Sequence, residues 1–199
     1  MQRTVQHPTT PLLNPHPPAG QEARVEAVYQ AIQKKIGFVP DGLRLYGFSP
    51  ALLESFVGNI SYFNSGERLS PALMAMIRYV VSSDAQCNFC IDMNEGFLTN
   101  MGFDLDAVRA ARANLDLAPF SAEEKILLKL AAQSVSDPDS VNEHAIEEAK
   151  ATGWSERDIF DAVAQAASNR AFTYVLRAFK VDAQGTFSAE PDRFAAHSS

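Results

Sequence analysis

Ser82-Ser83-Asp84-Ala85-Gln86-Cys87-Asn88-Phe89-Cys90-Ile91-Asp92-Met93-Asn94 holds both cysteines of the 199-residue chain, three positions apart. Two cysteines scattered at random over such a length fall at that spacing roughly once in 100 trials, which argues against accident. Phe89, Cys90, Met93, Phe97 and Leu98 recur at intervals of three and four, the period of one helix face. Asp84 and Gln86 precede this run and set the cysteines at or near a helix N-terminus. Unpaired backbone N–H groups there favour a thiolate over a thiol. A pair so placed is redox-active, metal-binding or a buried coincidence.

The same period governs the chain on either side. Upstream, Ser70-Pro71 supplies an N-cap and a first-turn proline for a helix through Leu73, Met76, Ile77, Val80 and Val81, and Ser49-Pro50 does so for a helix to about Asn64. Val25, Val28, Tyr29 and Ile32 mark an earlier amphipathic helix from Glu22 to Lys35, ended by Gly37 and Val39-Pro40, with a loop after it. Downstream, Gly102 closes the cysteine helix and Asp104 opens a short one to about Asn114. Ser121 with Glu124, and Ser140 with Glu143, read as capping boxes for two more helices, the second stopping at Gly153. Ser155 starts the last and longest, which carries Ile159, Phe160, Val163, Phe172, Val175, Leu176 and Phe179. No stretch alternates with period two, so the pattern predicts an all-α, single-domain bundle of about eight helices over residues 21–183. Residues 1–20, rich in proline, are expected to be a flexible leader or an arm that grips a neighbouring subunit through Leu12 and Leu13. Residues 184–199 read as a polar tail.

Composition bounds the function. The chain is 46% hydrophobic and 21% charged, with a net charge of −7 and no basic cluster, which argues against nucleic acid or an anionic membrane as partner. No run approaches the ~20 apolar residues of a membrane span. The N-terminus lacks the apolar core of a signal peptide, so a cytoplasmic location is expected. In a reducing compartment the cysteine pair reads as catalytic or metal-binding, not as a staple. Structural zinc needs four N/S ligands at usable spacing, which the chain does not offer, and no Gly-rich phosphate cradle is present. No metal and no cofactor are therefore expected.

Gly37-Phe38-Val39-Pro40 with Arg44, Ser49-Pro50, Leu69-Ser70-Pro71, Cys87-Asn88-Phe89-Cys90-Ile91-Asp92-Met93, Phe120 to Leu128 and Gly153 to Ile159 stand in a telling order. Together they resemble the AhpD-like, peroxidase-related branch of the carboxymuconolactone decarboxylase superfamily, over nearly the whole chain from about Val25. The resemblance implies an all-helical subunit that forms homo-oligomers. It also implies a thiol pair that reduces hydroperoxides, Cys90 attacking and Cys87 resolving, recycled by a dithiol protein or a small thiol. That family's pattern has a histidine four residues after the second cysteine and a glutamate twelve before the first; here those positions are Asn94 and Ala75.

Asparagine cannot take up a proton at neutral pH, so loss of the base costs on the order of 25-fold in thiolate at pH 7. A weak alkylhydroperoxidase-like activity is expected, which Asn94→His should raise by up to roughly tenfold. Arg78, on about the same helix face as Ala75, lies on a solvated or interface face or else stabilises the thiolate. Asp92 and Glu95 are expected to be exposed, His144 to be a surface helical residue beside Glu143 and Glu147, and Trp154 to staple the last helix. Asn169-Arg170 mark a kink or line the same cavity as the cysteines. The alternative to an enzyme is a non-catalytic helical oligomer that binds a small apolar ligand or a partner, with the cysteines as a redox sensor or relic.

Overall fold

Caps and periodicity give a chain of helices, and a computed structural model of the protein describes residues 11–183 of it. The first half of the expected arm and the whole of the expected tail lie outside the described residues. Within them there are nine α-helices, three short 3-10 turns and no strand. The helices are α1 (Glu22–Ile36), α2 (Asp41–Arg44), α3 (Pro50–Phe63), α4 (Pro71–Asp84), α5 (Asn88–Asn100), α6 (Leu105–Ala110), α7 (Ala122–Ser136), α8 (Glu143–Ala151) and α9 (Glu156–Ala178).

Most starts follow the predicted chemistry. Ser70 Oγ accepts the Leu73 N–H at 3.1 Å with Pro71 behind it, and Ser121 and Glu124 close a reciprocal capping box. Three local readings change. The stretch after Pro40, read as loop, is the single turn α2 followed by a 3-10 turn over Leu45–Phe48, because Pro40 presents an extended N-cap to Asp41. Ser140 does not cap α8. Pro138 starts a 3-10 turn that takes in Ser140, whose hydroxyl donates to the Asp137 carbonyl at 2.6 Å; Asn142 caps α8 instead, accepting the Ala145 N–H at 3.2 Å. Finally α6 stops at Ala110, and Asn114 serves to cap a 3-10 turn over Leu115–Leu117.

The described residues fall into two compact units, one reaching Tyr62 and including Leu176–Asp182, the other Phe63–Val175. In the first, Val25, Ile32, Leu43, Leu45 and Leu53 are buried, Tyr46 stacks on Phe56 with centroids 4.6 Å apart, and Arg24 pairs with Glu54. The described half of the arm lies against its own chain here: the Leu12 N–H donates to the Phe179 carbonyl at 2.9 Å and His16 meets Phe48 edge-on, while the Leu12 and Leu13 side chains stay exposed.

The second unit is built on α4. Leu73, Met74, Ala75, Met76, Ile77, Tyr79, Val81 and Ser82 are all buried along it, and α5 and α7 pack against it. Burial on several faces makes α4 a central rod, not an amphipathic surface helix. Its end is a Schellman closure: the Gln86 N–H donates to the Ser83 carbonyl at 3.1 Å and the Cys87 N–H to the Ser82 carbonyl at 3.0 Å. Gln86 takes the left-handed conformation this requires, with φ of 54°, where a glycine would cost less. That turn places Cys87 directly at the N-cap of α5.

Candidate active site around the cysteine pair

Cys87 at the N-cap and Cys90 in the first turn bring two free sulfurs to 3.0 Å, both fully buried. The sequence expectation that the helix end favours a thiolate does not survive burial. Loss of water pushes the Cys90 thiol well above its ordinary value and contact with Cys87 pushes it the same way; a hydrogen bond with Ser82 and the charge of Arg78 pull it back only in part.

Arg78 and Ser82 stand one turn apart on α4, and both turn toward α5 and α9. The Arg78 Nε donates to Asn94 Oδ1 at 3.1 Å, and its Nη1 to Asn64 Oδ1 at 3.3 Å and Gln165 Oε1 at 3.4 Å. Although part of its surface is accessible, protein crowds the guanidinium enough to lower its pKa to about 10, with the adjoining Cys90 opposing that shift. Asn94 is fully buried and donates to the Cys90 carbonyl at 2.8 Å, which anchors it to the turn that carries the thiol. All four residues singled out from sequence, Cys87, Cys90, Asn94 and Arg78, thus meet in one cluster.

Gln165 and Asn169 on α9 and Asn64 at the end of α3 complete it, and sequence reasoning did not place Asn64 or Gln165 there. Asn169 Nδ2 donates to Ser82 Oγ at 3.0 Å and to the Arg78 carbonyl at 3.1 Å, so it belongs to the lining and not to a kink; α9 runs unbroken through it. The spacing of four between Gln165 and Asn169, which sets two amides on one face of α9, was the available signal. Its neighbour Arg170 turns away to Asp84.

Two expectations are overturned. Asp92 and Glu95 are 5% and 3% exposed, not solvated. Glu95 is held by the Tyr79 hydroxyl at 2.8 Å, by Arg109 Nη2 at 3.0 Å and by Arg112 Nη2. A carboxylate with that many donors is stable inside, whereas the reading from sequence assumed a wet face that α5 does not have. His144 lies on the exposed face of α8, as expected. Trp154 is half-buried before the cap of α9, its Nε1 donating to the Glu123 carbonyl at 2.9 Å. Among the described residues no group of three or more His, Cys, Asp or Glu side chains is placed to hold a metal ion, and no helix is long and apolar enough to cross a membrane.

No protein-family profile matches the chain, and no curated protein sequence does. Solved structures do match. A peroxidase-related protein from Silicibacter sp. superposes with a TM-score of 0.78 at 24% identity, over 88% of this chain and 93% of that one. An AhpD-core, peroxidase-related protein from Ralstonia eutropha gives 0.75 at 18% identity, over 83% and 87%. The debrominase Bmp8 gives 0.69 at 22% identity, over 89% and 93%. The fold is that of AhpD-like, peroxidase-related proteins, in line with the resemblance carried by the sequence.

Proposed function

We propose that Cys87 and Cys90 form a dithiol–disulfide centre that reduces hydroperoxides with electrons from an external dithiol. The observation that supports this is the 3.0 Å approach of two free sulfurs beside a guanidinium and a hydroxyl. Cys90, as thiolate, attacks the terminal peroxide oxygen; the O–O bond breaks, the alkoxide leaves and takes a proton, and Cys90 becomes a sulfenic acid. Cys87 then attacks the Cys90 sulfur, the S–O bond breaks, and water leaves as the disulfide forms. A dithiol protein or small thiol returns two electrons and two protons. The reading includes a reducing, cytoplasmic setting and a homo-oligomeric assembly. Burial of both sulfurs makes the activity weak and supports one competing reading, a redox sensor or relic on a ligand-binding oligomer.

Peroxide consumption with a supplied dithiol separates the two. Turnover is expected, together with loss of two hydrogens in the intact mass after one equivalent of cumene hydroperoxide. Two thiols that stay alkylatable after that treatment, with no turnover, would replace the enzyme reading by the relic one, and oxidation of the pair without turnover would replace it by the sensor one.

The geometry also revises what a restored base would do. A histidine at position 94 would stand against Arg78, whose Nε lies 3.1 Å from the present Asn94 oxygen. That fixed charge opposes imidazolium formation. Asn94→His alone is therefore expected to change the rate at pH 7 by less than about threefold, and the larger gain to emerge only with Arg78→Gln added. A tenfold gain in the single variant would show that Arg78 does not face the site.

A further inference from the structure

Other arginines of the second unit have carboxylate partners: Arg68 pairs with Asp158, Arg109 and Arg112 with Glu95, and Arg170 with Asp84. Arg78 does not. Its three hydrogen-bond acceptors, on Asn94, Asn64 and Gln165, are neutral amide oxygens, and no carboxylate among the described residues pairs with it. Those bonds use the Nε proton and both Nη1 protons, so Nη2 carries no hydrogen bond to a described residue. A guanidinium withdrawn from water and fixed by neutral groups is a site whose charge is left for something else to match. Cys90, the one ionisable group that acts on it, is fully buried, whereas the Arg78 residue is partly accessible.

We propose that Arg78 is the substrate-binding group of this site and selects anionic hydroperoxides, with Nη2 donating to a carboxylate of the substrate while the peroxide reaches Cys90. This rests on the peroxide reading above and adds the class of substrate. The carboxylate is a spectator: the thiol is oxidised to the sulfenic acid, the peroxide is reduced to the alcohol, and the anion leaves unchanged.

Two peroxides that differ by one carboxylate test it, cumene hydroperoxide and the same compound with a carboxylate para to the peroxide-bearing carbon. With the wild-type protein at pH 7 and low salt, kcat/KM is expected to be about tenfold higher for the carboxylate. In Arg78→Met the ratio should fall to one or below, and in Arg78→Lys a preference should remain, smaller than that of the wild type. Equal values for the two peroxides in the wild type overturn the proposal whether or not the variants fold. A binding arm uses benzoate and the Cys87→Ser/Cys90→Ser protein, which has no peroxidase chemistry. Benzoate binding that Arg78→Met abolishes supports anion selection even where neither peroxide is consumed, an outcome in which the peroxide reading falls alone. Absence of Arg78-dependent benzoate binding counts against the inference while leaving any peroxide turnover standing.

Discussion

Cys90→Ser is expected to lower peroxide consumption at least about 1,000-fold, because a serine hydroxyl is not ionised near neutral pH and cannot be oxidised through a sulfenic acid. Cys87→Ser should behave differently. The first oxidation needs only Cys90, so this variant should consume one equivalent of hydroperoxide and then hold a sulfenic acid that dimedone traps, since the neighbour at 3.0 Å that would resolve it is gone. The two variants assign attack and resolution, which the distance alone does not. The pH profile adds a second check. Burial raises the Cys90 thiol well above its usual value, so its thiolate fraction, and with it the wild-type rate, should still be climbing above pH 9. A rate that levels off near pH 7 would mean that the attacking sulfur is better solvated, or better paired with Arg78, than the structure has it. Dimedone labelling of Cys87 in the Cys90→Ser protein would reverse the roles.

Much of the fold could be read from sequence because its signals are local. Ser70, Asp104 and Ser121 each cap a helix within three residues of themselves, and the apolar period needs only one turn to show. The α8 start was misread for the same local reason: Ser140 and Asn142 are both good caps, and only the turn that Pro138 imposes decides between them. The site was half legible. Its two cysteines, and the charge of Arg78 inside an apolar run, show in the sequence, but the groups that hold Arg78 come from 14 and 87 residues away, and nothing local ties them to it. The burial of Asp92 and Glu95 was illegible because a period-based reading assigns polar positions of a helix to solvent. On α5, Phe89, Cys90, Ile91, Asp92, Asn94, Glu95, Gly96 and Leu98 are all buried, which leaves no such face for them.

That burial carries the second large effect, on stability. Glu95→Ala is expected to cost about 3–5 kcal/mol, the range for a buried ionic cluster that loses one member, and to shift the urea midpoint down in proportion. Glu95 joins three segments: Tyr79 reaches it from α4, Arg109 from α6 and Arg112 from the turn that follows, with Arg112 also bonded to the Tyr79 hydroxyl. Each arginine keeps part of its side chain in water, 29% and 24% exposed, so neither contact alone should be worth more than about 1–2 kcal/mol after screening. Arg109→Met should therefore be mild, because the carboxylate keeps Tyr79 and Arg112. Glu95→Gln should fall between, since an amide oxygen still accepts from one donor while its NH₂ faces the others. Asn94 and Cys90 ride on the same helix as Glu95, so a chain that loosens α5 should also lose peroxide turnover at temperatures where it remains folded. If Glu95→Ala costs less than about 1 kcal/mol, the cluster is open to solvent, and the rigid placement of α5 on which the cysteine geometry depends has to come from α4 packing alone.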